Sequence, residues 1–343
     1  MLILDMSDHE SVVDIIFGRW KSQITYVGVN LGIFDILNSP MNAVEIAEKL
    51  ELNPQLSYRL LRALASLQLL KEESNSLFSI TPMGGFLRKD HPQTLRSMTL
   101  LEEGPEHYAI WKHLSEMIKD GKQDGFTREY GQKIFEYAAK TPSYSKVFNQ
   151  AMSSYSAAET NWVIEALEGY DFSGIKHLCD VGGGHGHLLC NFLLKYNHLK
   201  GTVLDLEQSF KEKEFLWAPK LDIDKDRCNY LAGDMFHEVP HADCYLMKHI
   251  LHDWNDEECI RILSNIQKAS PNGARIFIAE QIIPKPEKSH FSKLFDIHML
   301  CALSGRERTE KEYSTLLQNS GWNFIQSHYP QSGSIGIIEG IKS

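Results

Sequence analysis

Apolar and polar positions change rhythm along the 343-residue chain, and each rhythm predicts a different kind of element. From Val12 to Leu37 apolar side chains return at helical spacing, with Gly28 and Gly32 as points of kinking or close packing. Ala43-Val-Glu-Ile-Ala-Glu-Lys-Leu50 predicts a short amphipathic helix. Asn53-Pro54 opens a second, running to about Leu70, with Pro54 where a first helical turn accepts it. The polar stretch Lys71-Glu-Glu-Ser-Asn-Ser76 separates two short strand-like pieces that end near Gly84. Two short helices and a hairpin make a winged-helix-like pattern. Residues 105–170 read as helical throughout, with one segment running from Ser143 through Phe148, Met152 and Trp162 to Leu167.

Beyond Gly169-Tyr-Asp-Phe-Ser-Gly174 strands and helices alternate. Strands are predicted at 177–181, 201–206, 228–231, 244–248 and 275–280, with helices near 188–196, 210–217, 256–269 and 310–320. Two terminal strands follow at 323–328 and 335–339. Near-continuous apolar strands in such an alternation imply an α/β fold whose parallel sheet is covered on both faces.

Charge narrows the function. Thirty-five basic against forty-five acidic residues give a net charge of −10, and the first hundred residues hold nine basic and eleven acidic ones. A recognition helix needs basic residues for phosphates, but Arg59 and Arg62 stand among Leu60, Leu61, Leu64 and Leu67. Nucleic acid is therefore not an expected partner, and a protein-interaction or dimerisation role fits the amino-terminal region better. No apolar run approaches the roughly 20 residues of a membrane span, and the acidic start lacks the basic region of a signal peptide. The six cysteines (Cys179, Cys190, Cys228, Cys244, Cys259 and Cys301) form no C-x-x-C pair and are expected to be reduced and structural. A cytoplasmic protein is the expectation.

The chemistry concentrates where strands end. Leu178-Cys-Asp-Val-Gly-Gly-Gly-His-Gly-His187 runs from a strand through a glycine-rich turn into a helix, the place where open α/β sheets bind ligands. Its glycines Gly182, Gly184 and Gly186 miss the dinucleotide spacing, because His187 holds the position of the third glycine. Asp180 would repel a pyrophosphate and suits a cationic ligand. Asp205, ending the next strand, could accept bonds from ribose hydroxyls or cap a helix. In Gly233-Asp-Met-Phe236, Asp234 could meet an adenine amino group while Met235 and Phe236 face a flat ring, although the tetrapeptide also reads as an ordinary turn. The fourth strand leads through Lys248 to His252, Asp253 and Trp254. His252 is the candidate general base, with His249 as the structural histidine of the pair. Asn255 and Glu258 form a capping box for the next helix. Glu280 could orient the imidazole or serve in a plain ion pair; Glu307 is a second acid, or part of a solvated charge run. No carboxylate cluster asks for Mg²⁺, and His185 and His187 lack partnering acids, so no metal is expected.

In this order the motifs Asp-Val-Gly-Gly-Gly-x-Gly, Asp-Leu, Gly-Asp-Met-Phe, Lys-x-x-x-His-Asp-Trp, Ala-Glu and Arg-Glu-Arg-Thr resemble those of the S-adenosylmethionine-dependent small-molecule O-methyltransferases. Caffeic acid, acetylserotonin, hydroxyneurosporene and phenazine O-methyltransferases belong to that family. The resemblance implies an α/β fold: a Rossmann-like methyltransferase sheet with an amino-terminal helical, winged-helix-like dimerisation domain. It divides the chain into a dimerisation domain at 1–100, a helical connector contributing to the acceptor pocket at 101–168, and a catalytic domain at 169–343. It implies that Asp180, Gly182, Gly184, Asp205, Asp234, Met235, Phe236 and Lys248 bind S-adenosylmethionine, leaving S-adenosylhomocysteine as product. His252 matches the catalytic base, flanked by Glu280 and Glu307. Phe148, Met152, Asp253, Trp254 and Met299 match positions at the acceptor pocket. The expected partners are a small-molecule acceptor and a second copy of the chain, and the apolar stretch 27–37 adds physical support for a homodimer. Ile16, Trp20 and Tyr26 are candidates to reach the partner's pocket. One departure concerns Met299-Leu-Cys-Ala-Leu-Ser-Gly305. Cys301, Ala302 and Leu303 stand where plant phenylpropanoid enzymes carry an acceptor-holding Asn, which argues against that substrate type. The same cofactor motifs would also serve transfer to nitrogen or carbon, or a relative with other chemistry.

Overall fold

The computed structural model describes residues 7–211 and 213–343. They group into two compact units: residues up to Ala109 with Thr141–Ser154, and Ile110–Lys140 with Tyr155–Ser343.

In the first unit the helical rhythm of 12–37 is divided. Helix α1 (Asp8–Ile16) is started by a Ser7–Glu10 capping box, and α2 (Gly18–Asn30) follows after a break at Phe17. Gly32, with φ 77°, then turns the chain away. Helix α3 (Ala43–Lys49) is capped by Asn42 with Glu45, and α4 (Pro54–Ser66) starts at Asn53 with Pro54 in its first turn, as the sequence signals predict. Strands β2 (Leu70–Glu72) and β3 (Leu77–Ile80) form the expected hairpin. A further strand, β1 (Met41–Asn42), pairs with β3. Val29, Ile33, Phe34 and Leu37 are buried with Leu61, Leu64 and Phe78 in this unit's own core. The stretch 27–37 therefore presents little apolar surface to a partner. On α1 and α2, Val12, Ile15, Ile16 and Trp20 are exposed.

Helix α5 (Pro142–Ala166) contributes its first half to the first unit and its second half to the second. The second unit is built on a seven-stranded sheet: β4 (His177–Val181), β5 (Lys200–Asp205), β6 (Cys228–Ala232), β7 (Cys244–Lys248), β8 (Arg275–Glu280), β9 (Asn323–His328) and β10 (Gly336–Ile341), in the order β6-β5-β4-β7-β8-β10-β9. The first five strands are parallel. The all-parallel expectation fails at the end of the chain, where β10 lies antiparallel to both β8 and β9. The link 329–335 is too short for the helical crossover that parallel neighbours need.

Helices α6 (His187–Lys195), α7 (Asp256–Ala269), α8 (Ser292–Ala302) and α9 (Glu310–Asn319) complete the unit. The helix expected near 210–217 is replaced by short 3₁₀ turns at Glu207–Phe210 and Lys213–Phe215 and a four-residue helix, Trp217–Lys220. Asp205 accounts for the tight turn: it accepts bonds from the Leu206 N–H and the Ser209 hydroxyl, a local alternative to a longer helix. Helix α8 was not predicted, because its apolar residues follow no clean one-sided pattern.

One face of the sheet is covered by Leu178, Leu188, Phe192 and Val203 with their neighbours, the other by Tyr245, Ile262, Ile278, Tyr313 and Leu317. All six cysteines are buried and unbridged. Among the described residues no helix is long and apolar enough to cross a membrane. The parallel strands bring their carboxyl ends to one edge, and the candidate site is assembled there.

Candidate active site

The glycine-rich turn after β4 forms one end of the site. Gly182 takes φ 71° and Gly184 φ 55°, a region an L side chain rarely enters. A Cβ on Gly182 would stand 2.3 Å from Ile250, and one on Gly183 2.5 Å from the Asp180 carboxylate. Around Gly184 there is open space instead. Asp205 braces the turn by accepting the Gly184 N–H at 2.8 Å. Asp180 is 2% exposed, and its Oδ2 has no hydrogen-bond partner. Burial pushes this carboxyl up to about 7, against the pull of Lys248. A buried carboxylate oxygen without a partner beside a side-chain-free turn fits a compact cationic ligand group that could neutralise the acid.

Asp234 folds back on its own turn, accepting the Phe236 N–H at 2.8 Å. Met235 and Phe236 pack at the edge of the apolar core. Phe236 lies edge-on to Trp254, with ring centres 4.7 Å apart, and Phe135 stacks on Trp254 at 6.0 Å. The result is an apolar wall in which the buried Trp254 Nε1 has no hydrogen-bond partner.

The other end of the site follows β7. Lys248 closes the strand, and His249 adopts φ 53°, an uncommon conformation for a non-glycine residue. The chain then makes a 3₁₀ turn, Leu251–Asp253. This geometry sets the rings of His249 and His252 4.8 Å apart. His252 is buried; its Nδ1 lies 2.8 Å from Glu307 Oε1 and 3.7 Å from Glu280 Oε2, and its Nε2 lies 3.3 Å from Asp253 Oδ1. Burial pulls the imidazole down, but Glu280, Glu307 and Asp253 outweigh it and raise it to about 10. Burial lifts Asp253 to about 6 and also raises Glu307, whereas His252 and His249 hold Glu280 low in spite of its burial. Glu280 also accepts the N–H groups of Ile250 and Leu251 at 3.1 and 2.9 Å, fixing the loop that carries the histidine.

Several residues here were not singled out from the sequence. Glu159 on α5 is 4% exposed and meets His249 Nε2 at 2.9 Å and Lys248 Nζ at 3.3 Å. An acid inside a buried helix face was a visible signal; its partner was not. Fully buried Arg308 donates to the Leu251 and Trp254 carbonyls at 2.9 and 2.8 Å and to Asp256 at 2.8 Å. It thus clasps the loop on both sides of His252. A Cβ on Gly305 would overlap the His252 carbonyl at 1.9 Å, so only glycine lets the two loops touch here. Phe295, on the unforeseen α8, stands 5.9 Å from the His252 ring and is stacked between Phe291 and His298.

The structure thus brings His252, Glu280, Glu307 and Asp253 into contact, with Trp254 packed on the loop's apolar side. Met299 is buried on α8. Phe148 and Met152 lie one turn apart on the part of α5 that belongs to the first unit.

Comparison with known proteins agrees in extent with this architecture. The O-methyltransferase domain family matches residues 111–323, and the O-methyltransferase dimerisation domain matches residues 13–90. Phenazine O-methyltransferase PhzM of Lysobacter antibioticus is 32% identical over 330 residues, covering 96% of this chain and 94% of its own. The crystal structure of LaPhzM superposes with a TM-score of 0.91 at 31% identity, covering 98% of this chain and 100% of the other. CalO1, a methyltransferase in calicheamicin biosynthesis solved in its SAH-bound form, gives 0.80 at 26% identity, covering 99% of this chain and 100% of its own.

Proposed function

The chain belongs to the S-adenosylmethionine-dependent O-methyltransferase family, and from that premise we propose that it methylates a phenolic hydroxyl of a small aromatic secondary metabolite, with His252 as general base. The observation that carries this reading is the carboxylate cage around His252. A base must hold the proton it takes, and three acids lend the imidazolium that stability. Its proton affinity, raised to about 10, is close to that of a phenol, for which tyrosine's value of about 10 is the reference. Proton transfer from a phenol to His252 is then nearly balanced, whereas transfer from an aliphatic alcohol would be steeply uphill. The aromatic walls made by Phe295 and by Trp254 with Phe135 support a flat acceptor.

When bound, S-adenosylmethionine supplies a methyl group already activated by a positive sulfur. Asp180, Gly182 and Gly184 would hold its amino-acid part, Asp205 its ribose, and Asp234, Met235 and Phe236 its adenine, with Lys248 as a further contact. His252 Nε2, the nitrogen that Glu307 does not hold, accepts the acceptor's proton. Glu280 fixes the loop backbone and Glu307 the ring, so the base arrives oriented. Asp253, Trp254, Met299, Phe148 and Met152 are assigned to acceptor binding. No step of this scheme calls for a metal. In domain terms, 169–343 is the catalytic part, 101–168 the connector and 1–100 a winged-helix-like region that pairs two chains. The exposed apolar side chains of α1 and α2 favour a homodimer.

The test supplies methyl-deuterated S-adenosylmethionine with a mixture of small phenols and amines, and mass spectrometry identifies what gains the label. A labelled phenolic ether is the expected product. Labelling of amines alone, or of nothing despite tight S-adenosylhomocysteine binding, overturns the phenolic reading.

A further inference from the structure

The pairing of His249 with His252 has no part in the methyl-transfer scheme, yet its atoms are arranged with some specificity. His249 Nδ1 and Glu280 Oε2 are both buried, and neither has a hydrogen-bond partner. They face each other at 3.5 Å, and His252 Nδ1 lies 3.7 Å from the same Glu280 oxygen. Ligand atoms of the three residues all fall within 4.8 Å of one another. A tetrahedral zinc ion with ligands at about 2.0–2.1 Å holds those ligands roughly 3.4 Å apart, so little movement separates this geometry from a coordination shell.

The outer nitrogens point the same way. His249 Nε2 sits 2.9 Å from both oxygens of Glu159, and His252 Nε2 lies 3.3 Å from Asp253 Oδ1. A metal-binding histidine commonly rests its distal N–H on a carboxylate, which fixes the tautomer and directs the other nitrogen's lone pair at the metal. Here both histidines have that carboxylate, and both turn Nδ1 toward Glu280. Glu307, 2.8 Å from His252 Nδ1 and with its other buried oxygen unpartnered, is in reach as a fourth ligand. Two imidazoles with carboxylates suit zinc and its neighbours in the first transition row, and suit Mg²⁺ or Ca²⁺ poorly.

We infer that His249, His252 and Glu280, with Glu307 beside them, form a binding site for a zinc-type divalent cation. On binding, the cation takes the Nδ1 lone pairs of both histidines and their bound protons leave to solvent. The consequence is inhibition, because a His252 coordinated through Nδ1 keeps its remaining proton on Nε2, against Asp253, and has no free nitrogen to accept the acceptor's proton. That consequence rests on the proposed role of His252, but the binding does not.

Chelator-treated full-length protein titrated with Co²⁺ gives a direct readout, because four-coordinate Co²⁺ has intense visible bands. One equivalent per chain should produce them, and Zn²⁺ should bleach them by displacement. Glu159→Gln should weaken Co²⁺ binding by ~10–100-fold, the usual effect of losing an outer carboxylate. His249→Asn should weaken it further, with circular dichroism showing both variants folded. Absence of the bands in wild type, or unchanged affinity in folded His249→Asn, overturns the site. Stoichiometric binding with undiminished methyl transfer would uphold the site and overturn His252 as the base instead.

Discussion

The two ends of the site stand on the same edge of one sheet and are built on opposite principles. The glycine turn after β4 is local: Asp180, Gly182 and Gly184 lie within five residues, and the geometry comes from backbone angles that the glycines permit. The histidine loop after β7 is assembled from afar, with Glu159, Glu280 and the adjacent pair Glu307 and Arg308 converging on it from three other segments. The first end keeps a buried carboxylate oxygen without a hydrogen-bond partner; the second surrounds its histidine with acids. An unpartnered group waits for a ligand, and a caged one is tuned for a proton. On the proposed assignment the first end binds and the second does the chemistry, and substitutions should separate the two.

The largest effect is expected at the caged end. His252→Gln should lower kcat by ~10²–10⁴-fold, the usual weight of a positioned general base. S-adenosylhomocysteine binding, measured by calorimetry, should stay at the wild-type level. A matching loss of cofactor affinity would erase the division between the two ends.

Asp180→Asn is the complementary change. It should weaken cofactor binding by ~10–100-fold, the worth of one charge-assisted contact, while kcat at saturating cofactor changes little. It also carries a stability signature. The Asp180 carboxyl is pushed up to about 7 in the folded protein, so the folded state holds this proton more tightly than the unfolded chain. Its contribution is complete below the unfolded value near 3.9 and is lost as pH rises through 7. The melting temperature of the ligand-free enzyme should therefore fall from pH 4 to 7 less steeply in Asp180→Asn than in wild type.

Glu307→Gln sharpens the comparison within the cage. With His252 raised to about 10, log kcat/KM of metal-free wild-type enzyme should climb with pH from near neutrality toward 10, since only the neutral imidazole accepts a proton. Removing the Glu307 charge takes away one of the groups that raise it. The rising limb should move to lower pH by about one unit, worth ~1.4 kcal/mol, and level off at a lower plateau because the base is weaker. An unshifted profile would mean that the limb reports another group.

What the sequence disclosed follows the same division. The starts of α4 and α7, the amphipathic α3, the five parallel strands and the glycine turn are set by neighbours in the chain, and the residues alone predict them. The reversal of β10 depends on which strand it meets, and the turns after Asp205 depend on a side chain that doubles as a brace for Gly184. Glu280 reads from its strand end as an acid able to orient the imidazole and Glu307 as a second candidate, and the resemblance, which already encodes contacts across the fold, sets both beside His252. His249 reads as the structural histidine of the pair because His252 stands further beyond the strand, and its pairing with Glu159, ninety positions away, is invisible in the sequence. Helix α8, whose Phe295 faces the histidine, has too little polar contrast along one side to be read as a helix before its packing is known.

Arg308 tests whether the distant assembly is rigid or merely charged. Its guanidinium makes a fork that reaches the Leu251 and Trp254 carbonyls and Asp256 at once. A lysine keeps the charge but offers one compact donor group in place of the planar fork. Arg308→Lys should leave at least one of those carbonyls unpaired, costing about 1 kcal/mol and lowering Tm by roughly 2 °C for a chain of this size. If charge alone holds the loop, kcat stays at the wild-type value. If the fork sets the direction of His252, kcat should drop several-fold while KM for the cofactor is unchanged, because the glycine turn does not depend on this clasp. A rise in the cofactor's KM of the same size as the loss in kcat would show the two ends to be mechanically joined through Gly182 and Ile250, where the isoleucine side chain packs so closely on the glycine that no Cβ fits between them.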